Sequence, residues 1–368
     1  TTTQVGALNA SQLRAISTTN LSALDATQIG ALNATQVRGL TNTQISALTA
    51  TDVAEFKTTQ ISALTTSQIG ALTATNVEQL AATQLAALST TQLNRLGTEA
   101  LSALDATQVA ALSTTQVSRL TATQIGALSE TDITELTTQQ LGALGKTQIQ
   151  ALNATNIGGL TETQLAALST SQVQSFSLTN LQALGETQIA ALTTTQVAAL
   201  ANNQLDGLDA TDIGKFTAAQ IGALTATQIQ RLSTSAVSAL DETQVEALSA
   251  TQVRALTAQQ IAALSAADLT EFTATQIGDL ATTQVAALTT TNIADITAEQ
   301  VAAMKTTQIA ALSTTNLASL NDTQLQALAA THIAALSTQQ ASALTETNIG
   351  AFASTQTAAL TGAQIAAL

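Results

Sequence analysis

The chain has 368 residues, of which 45% are hydrophobic, 9% are charged and 1% are aromatic, and it contains no Cys, Pro, Trp or Tyr. The absence of Cys excludes disulfides, thiolate nucleophiles and cysteine-based metal sites. The 24 acidic and 10 basic side chains give a net charge of −14, which disfavours binding to nucleic acid or to an anionic membrane. Thr, Ser and Gln interrupt every apolar run well before the roughly 20 residues that a membrane span needs.

The chain is a tandem repeat of eight residues, and its length corresponds to 46 such octads. Counted from its Gln, the first octad reads Gln-Val-Gly-Ala-Leu-Asn-Ala-Ser over residues 4–11. The first position is Gln in 32 octads and Asn, Asp, Ala or His in the others; the second is almost always Ile, Val or Leu; and the fifth is apolar throughout. A short period repeated along a whole chain predicts a stacked repeat architecture.

The sixth position predicts where each helix begins. It is Ser, Thr, Asp, Asn or Gly in 39 octads, and these are the residues preferred at helix N-caps. The Gln three residues later has the spacing of a capping box, and the flanking apolar residues have that of a hydrophobic staple. We therefore expect one helix of about two turns in each octad, with N-caps at Asp25, Asn33 and Thr41 for example. The Gln column could also form a hydrogen-bonded ladder between turns, but the capping box already accounts for it.

Two other folds fit the composition less well. In one continuous helix, each octad would advance the apolar stripe about 80° beyond two turns, so the stripe would spiral around the whole helix. A β-solenoid is the main alternative, because Thr-x-Thr pairs recur and Ile and Val favour strands. However, apolar spacings of three and five residues do not alternate as a half-buried strand requires. The repeat predicts an all-α solenoid of very short helices.

Helices this short must pack against their neighbours, because isolated helices below about 12–15 residues are unstable in water. We expect the fifth position to be the most buried, followed by the second, and the contacts to link nearest neighbours. We expect residues 1–368 to form a single continuous array without separate domains or linkers. An 80-residue super-repeat lies within it, since Asp52, Asp132, Asp212 and Asn292 occupy the Gln column at that spacing.

Charged or large polar residues in the usually small third and fourth positions suggest a turn length. They recur at alternating steps of three and two octads, which predicts about 2.5 octads per solenoid turn and one aligned edge. We call this edge the candidate contact stripe, and a solvated surface explains it equally well. The candidate contact stripe consists of Arg14, Arg38, Glu55, Gln79, Arg95, Arg119, Glu135, Lys215, Arg231 and Asp295.

The sequence contains no convincing chemical site, and we predict no catalytic residue, cofactor, metal or small-molecule substrate. His332 has no second His or Cys with which to form a metal site, so an ordinary position near a helix N-terminus is the better interpretation. The segments Asp52–Glu55, Asp132–Glu135 and Asp268–Glu271 each place two carboxylates one helical turn apart. They match no calcium-binding loop, so a solvated face is expected. We do not expect an enzyme.

Octads such as Thr-Thr-Thr-Gln-Val-Ala-Ala-Leu, at residues 193–200, resemble the Thr/Gln/Ala/Leu octapeptide arrays of very large secreted or surface proteins of bacteria. The resemblance covers the whole chain and implies an extracellular or cell-surface location and a structural or adhesive role. It carries over no catalytic or binding residues. The chain begins Thr-Thr-Thr, without an initiator Met, and we expect it to be a segment of something longer.

The sequence therefore predicts a structural rod or filament segment, such as a fibre, sheath or adhesin stalk. Its expected partners are copies of itself or continuing repeats of the same chain, with no nucleic acid and no membrane insertion. A solenoid scaffold that binds protein or glycan is the alternative, although the aromatic enrichment of binding surfaces is missing. An ice- or surface-binding array of Thr is a third hypothesis, and it would require a flat β face.

Overall fold

A computed structural model describes all residues from Thr1 to Leu368 and contains 46 short α-helices and no strand. Every octad forms one helix of four to six residues, as in Ala26–Ile29 and Ala34–Gly39. The all-α solenoid is therefore confirmed, and the β-solenoid alternative is not found. The Thr-array hypothesis loses the β face on which it depended. No helix is long and apolar enough to span a lipid bilayer.

The helices belong to two compact units, Thr1–Ala191 and Leu192–Leu368. The first unit contains α1 Thr2–Gly6, α2 Ala10–Ala15, α3 Thr18–Ser22, α4 Ala26–Ile29, α5 Ala34–Gly39, α6 Asn42–Ser46, α7 Ala50–Ala54, α8 Thr58–Ile61, α9 Thr66–Ile69, α10 Ala74–Glu78, α11 Ala82–Ala86, α12 Thr90–Leu93, α13 Thr98–Ser102, α14 Ala106–Ala111, α15 Thr114–Val117, α16 Ala122–Gly126, α17 Glu130–Glu135, α18 Thr138–Gly142, α19 Lys146–Ala151, α20 Ala154–Gly158, α21 Glu162–Ala167, α22 Thr170–Val173, α23 Leu178–Ala183 and α24 Glu186–Ala191. The second unit contains α25 Thr194–Ala198, α26 Asn202–Leu205, α27 Ala210–Gly214, α28 Ala218–Ala223, α29 Ala226–Arg231, α30 Thr234–Ser238, α31 Glu242–Glu246, α32 Ala250–Ala255, α33 Ala258–Ala263, α34 Ala266–Thr270, α35 Ala274–Asp279, α36 Thr282–Ala286, α37 Thr290–Ile293, α38 Ala298–Ala303, α39 Thr306–Ile309, α40 Thr314–Ala318, α41 Asp322–Gln326, α42 Ala330–Ala334, α43 Thr338–Ser342, α44 Glu346–Gly350, α45 Ser354–Thr357 and α46 Gly362–Ile365.

The helices begin where the capping pattern predicts. Asp25, Asn33 and Thr41 are N-caps in extended conformation, and each accepts a hydrogen bond from the backbone N–H of the first-position Gln. The Gln side chain closes the box, as at Asn33, whose backbone N–H donates to Gln36 Oε1 at 2.8 Å. The box satisfies two N–H groups that a helix start otherwise leaves without partners.

Each helix ends without a left-handed residue, since no residue of the chain has a positive φ. In the six-residue helices, the fifth-position residue is the first to leave helical geometry. Leu40, for example, has φ −64° and ψ 143°, and the next N-cap, Thr41, has φ −79° and ψ 157°. Two successive extended residues therefore redirect the chain, and this corner does not depend on glycine.

Helices stack on helices three octads apart. In the first unit α2 packs on α5 and α10 on α13, and in the second α25 packs on α28 and α35 on α38. First-position amides reach further, to carbonyls 28 to 31 residues earlier, in the fourth preceding octad. A turn therefore holds between three and four octads, and the predicted 2.5 is wrong. That value came from the spacing of surface charges, which reflects tolerance of solvent rather than stacking.

The core consists of the second and fifth positions, but their order of burial is the reverse of the prediction. Ile45 and Ile125 in the second position are fully buried, whereas Leu48 and Leu128 in the fifth remain 7% and 8% exposed. The second position lies within the helix and faces the centre of the turn. The fifth position lies at the corner, where the chain leaves the helix and neighbouring atoms are fewer.

Small residues in the third and fourth positions allow stacked helices to approach closely. A Cβ atom added at Gly39 of α5 would lie 2.7 Å from the Cβ of Ala10 in α2. One added at Gly159 would lie 2.7 Å from the backbone oxygen of Glu130. Because real Cβ contacts do not become this short, these two positions need glycine for close packing.

Candidate functional site

The first-position Gln side chains form the interface between successive turns. Gln60 is buried, and its Oε1 accepts from the backbone N–H of Lys57 at 2.7 Å. Its Nε2 donates to the carbonyl oxygens of Ile29 at 2.7 Å and Leu32 at 2.8 Å, one turn earlier. One amide thus joins the start of its own helix to the end of another.

We call these hydrogen bonds from first-position Gln side chains to the earlier turn the Gln ladder. The Gln ladder supplies donors to carbonyl oxygens that have no donor within their own helix. Leu32 lies at the corner beyond α4, and helix ends leave their last carbonyls without intrahelical donors. Gln68, Gln140 and Gln260 donate in the same way to fifth-position carbonyls 28 residues earlier, at 2.8 Å in each case. The capping box alone, which the sequence suggested as sufficient, explains half of this role. The available signal was the preference for Gln, because Glu would complete a capping box equally well.

Other residues in the Gln column reproduce the amide chemistry. Asn76 accepts from the N–H of Thr73 at 3.0 Å and donates to the carbonyl of Leu48 at 2.7 Å. His332 is buried, and its Nδ1 accepts from the N–H of Ala329 at 3.1 Å. The pKa of His332 is lowered by burial, which outweighs the opposing hydrogen bond to the Met304 backbone. His332 thus lies in the first turn of α42, as predicted, where it replaces a Gln.

Aspartates in the Gln column use a different partner, because a carboxylate cannot donate. Asp132 Oδ2 accepts from the N–H of Ser129 at 2.6 Å and from the hydroxyl of Ser102 at 2.6 Å. Ser102 lies 30 residues earlier, at the end of α13. The direction of the hydrogen bond across the turn is therefore reversed at this position.

Three acidic clusters surround these aspartates. Glu135 lies one helical turn after Asp132, and its pKa is raised by burial and then by the charges of Asp132 and Asp105. The pKa of Glu55 is raised by burial and then by Asp52 and Asp25. The Oε2 atoms of both glutamates are buried and have no hydrogen-bond partner.

The third cluster adds Asp268 and Glu271. Burial and the charges of Asp268, Asp241 and Glu242 raise the pKa of Glu271. Burial opposes ionisation of Asp268, but hydrogen bonds from Ser238, Ser265 and the backbone outweigh it and lower the pKa. No group of three or more His, Asp or Glu side chains in the chain is arranged to hold a metal ion.

The candidate contact stripe is brought together only in pairs. Arg14 and Arg38 belong to the stacked helices α2 and α5, while Glu55 and Gln79 end the stacked helices α7 and α10. Arg95 and Arg119 follow α12 and α15, which also stack, and the next member, Glu135, ends α17. Members of the stripe that are three octads apart therefore lie on helices that stack on each other. The two-octad steps, from α10 to α12 and from α15 to α17, join helices that do not stack.

Several members of the stripe contact their own chain. Arg38 Nε donates to the carbonyl of Ala63 at 3.0 Å, in the octad stacked above it. Arg231 lies 3.9 Å from Asp206, and Lys215 lies 3.3 Å from Asp212 on its own helix. Most members are exposed, including Asp295, which lies two residues beyond α37, while Glu55, Glu135 and Lys215 are half-buried. A role of the stripe in binding another chain stays a prediction.

Comparison with known families gives one result. The chain is similar to the ALTTAQ repeat. The family model matches residues 77–114, 277–314 and 301–338, which together make up less than half of the chain. Read as residues, the name gives the order of positions four to eight followed by the next first-position Gln. The match supports a repeat array, and no curated protein matches the chain.

Proposed function

We propose that the chain is a structural, non-catalytic rod or filament segment of a very large extracellular or surface protein of bacteria. The observation that carries the proposal is that the Gln ladder and the buried apolar residues of the second and fifth positions recur along the whole chain. The same residue types join each turn to the next, as Gln68 and Gln260 do in the two units. An array of this kind can gain or lose octads without a new core, because each octad contacts only octads of the adjacent turns, three or four octads away.

The polar residues that suggest chemistry in the sequence have structural partners in this array. His332 and Asp132 replace Gln and hydrogen-bond within the turn interface. Arg38 and Arg231 contact backbone or carboxylate oxygens of stacked helices. A structural role accounts for each of these side chains without a bound substrate, metal or cofactor.

The extracellular location follows from the resemblance to octapeptide arrays of secreted and surface proteins. The lack of Cys and the scarcity of Lys in a Thr-rich chain suit an exposed setting. The proposed partners are further copies of the chain or continuing repeats. Antibodies raised against the purified array should label intact cells of the producing organism, and labelling only after lysis would refute this location.

A series of arrays with whole octads added would test the rod. If the chain is a spacer, the maximum dimension measured by small-angle X-ray scattering should rise linearly with the number of octads. The melting temperature should rise and then level off, because added repeats mainly add identical interfaces. A maximum dimension that does not change on addition would contradict the proposal. Saturable binding of a glycan or protein that depends on particular octads would favour the scaffold alternative.

A further inference from the structure

Serines in the third octad position divide into two groups according to the residue that lies 30 positions later. Opposite an Asp, the hydroxyl donates across the turn, as Ser102 does to Asp132 at 2.6 Å. Ser22 and Ser238 donate in the same way to Asp52 and Asp268.

Where an amide lies 30 positions later, the hydroxyl stays within its own helix. Ser118 donates to the carbonyl of Thr115 at 2.9 Å, and the residue opposite it is Gln148. Ser62 donates to the carbonyl of Thr59 at 3.1 Å, while its own carbonyl accepts from Gln92 at 3.1 Å. The direction of the hydroxyl therefore follows the chemistry of the residue above it.

This division has a simple electrostatic cause. A Gln amide donates to the carbonyls of the earlier turn, whereas an Asp carboxylate can only accept. An Asp placed over a carbonyl or an alkyl group would keep the N–H of its own capping box but would have no donor from the earlier turn, which is costly for a charge within the turn interface. The serine hydroxyl supplies that donor at three of the four aspartates in the Gln column. The fourth, Asp212, has Gln182 instead of Ser 30 residues earlier and accepts from Lys215 Nζ at 3.3 Å.

Repeats this uniform have a register problem that the Ser–Asp pairs can solve. Shifting the stack by one octad would still place Gln over carbonyls and Leu over Leu, as a slipped strand can retain its pairing in a weakly specified sheet. The Ser–Asp pairs would not survive. With a turn shorter by one octad, Asp52, Asp132 and Asp268 would face Gly30, Ala110 and Glu246, and none of these side chains donates a hydrogen bond when Glu is ionised.

We propose that Ser22–Asp52, Ser102–Asp132 and Ser238–Asp268 set the register of successive turns by excluding a turn that is shorter by one octad. The pairs act as a few polar markers in an otherwise repetitive core, as single buried polar residues do in coiled coils. This inference concerns how the array selects one stacking arrangement, and it does not depend on the proposed function.

A thiol cross-link can report the register, because the chain contains no Cys. Arg254 Nη2 and Asp279 Oδ1 lie 2.6 Å apart on the stacked helices α32 and α35, and Arg254 lies between Ser238 and Asp268 in the sequence. In the full-length chain with Arg254→Cys and Asp279→Cys, a short bismaleimide should join the two thiols efficiently. Adding Ser238→Ala should reduce the yield at least twofold and should accelerate amide exchange in α34 about tenfold, the effect of a lost hydrogen bond to a charged group.

Two further variants separate register from general stability. Ser118→Ala is the matched control, since Ser118 has the same octad position and is also half-buried, but lies opposite Gln148 and donates to the carbonyl of Thr115 in its own helix at 2.9 Å. It should leave the cross-link unchanged. Asp268→Gln, added to Ser238→Ala, should restore the cross-link and the slow exchange, because an amide can again donate to the earlier turn.

The outcomes decide the proposal even if Ser238→Ala partly unfolds. Recovery of helical circular dichroism and of the cross-link by Asp268→Gln would support a register role. Equal losses from Ser238→Ala and Ser118→Ala would overturn it. Failure of Asp268→Gln to restore either signal, or an unchanged cross-link in Ser238→Ala, would overturn it as well.

Discussion

The first-position amide combines an acceptor and a donor in one side chain, and both are used. Gln124 accepts from the N–H of Thr121 at 3.0 Å and donates to the carbonyls of Leu93 and Leu96 at 2.9 and 3.0 Å. Neither an acid nor a hydroxyl can do both over this distance. The amide is therefore the residue that connects helix initiation to the stacking of turns.

Replacing this amide should cost more than the loss of a cap. Gln124→Ala should lower the free energy of unfolding by about 2–4 kcal/mol, because a buried N–H and a buried carbonyl both lose their partners. Gln12→Ala is the control, since Gln12 is exposed and accepts from the N–H of Asn9 at 2.9 Å. For that control, urea unfolding should show a decrease in the free energy of unfolding of about 1 kcal/mol. Equal losses at the two sites would argue against the ladder.

His332 should make stability depend on pH in a predictable direction. Burial lowers its pKa below the ordinary value of 6.5, so between the two values the unfolded chain binds more protons than the folded chain. The free energy of unfolding therefore rises as the pH increases across that window, and this added stability is lost as the pH falls through it. His332→Gln should reduce the loss of stability between pH 7 and pH 5, as measured by urea midpoints. Identical pH profiles of the variant and the parent would contradict this assignment.

At the scale of the helix, the N-cap residue determines where each helix begins. Some N-cap positions hold a residue without a side-chain acceptor, and a substitution there can stabilise the helix. Ala81 is the N-cap of α11 but provides no side-chain acceptor, although its N–H still donates to Gln84 Oε1 at 2.6 Å. Only half of the capping box is present. The N–H of Gln84, which an N-cap side chain would otherwise serve, donates to the carbonyl oxygen of Ala81 at 2.8 Å.

Restoring the missing half should stabilise the chain. Ala81→Ser should raise the free energy of unfolding by about 0.5–1 kcal/mol, the lower part of the range for N-caps. The converse variant, Thr121→Ala, removes an existing cap and should lower it by about 0.5–2 kcal/mol. Thermal melts followed by circular dichroism would measure both changes. Because Ala81 is exposed, a destabilising Ala81→Ser would contradict the role assigned to the N-cap side chain.

The acidic clusters between helices predict a second pH effect, opposite in sign to that of His332. Burial and the charges of Asp132 and Asp105 raise the pKa of Glu135 above 4.5. The stabilisation by protonated Glu135 is therefore present below about pH 4.5 and lost as the pH rises through the folded-state pKa. Glu135→Gln should raise the melting temperature at pH 7 and change it little at pH 4. Glu130→Gln is the control, since Glu130 is exposed on the same helix.

Helix starts could be predicted from sequence because capping is local: Thr41 and Gln44 lie three residues apart and need no knowledge of the rest of the chain. The turn length could not be predicted, because it depends on the corner at Leu40 and on which carbonyls Gln68 reaches. The surface charges were misleading. Arg95 and Arg119 follow the stacked helices α12 and α15, whereas α10, which precedes Gln79, does not stack on α12. The alternating spacing therefore combined residues of stacked helices with residues of helices that do not stack.

At the scale of the molecule, the stabilising contacts have a short and constant range along the chain. Stacked helices lie three octads apart, and the Gln ladder spans 28 to 31 residues in both units. Stability should therefore approximate a sum of equivalent interfaces. The two compact units, Thr1–Ala191 and Leu192–Leu368, each contain many complete turns of this kind.

Each unit should consequently fold by itself. A fragment of residues 1–192, which ends at the fifth-position Leu192 just after α24, should retain the helical circular dichroism per residue of the full chain. Its melting temperature should be lower, because a larger share of its helices lie at an end with only one stacked neighbour. The fragment of residues 193–368 should behave similarly, which makes the pair an internal comparison. Urea unfolding of both should give smaller m-values than the full chain, since less surface becomes exposed. Fragments without helical signal that regain it on mixing would show that folding needs contacts of longer range than the turn interface provides.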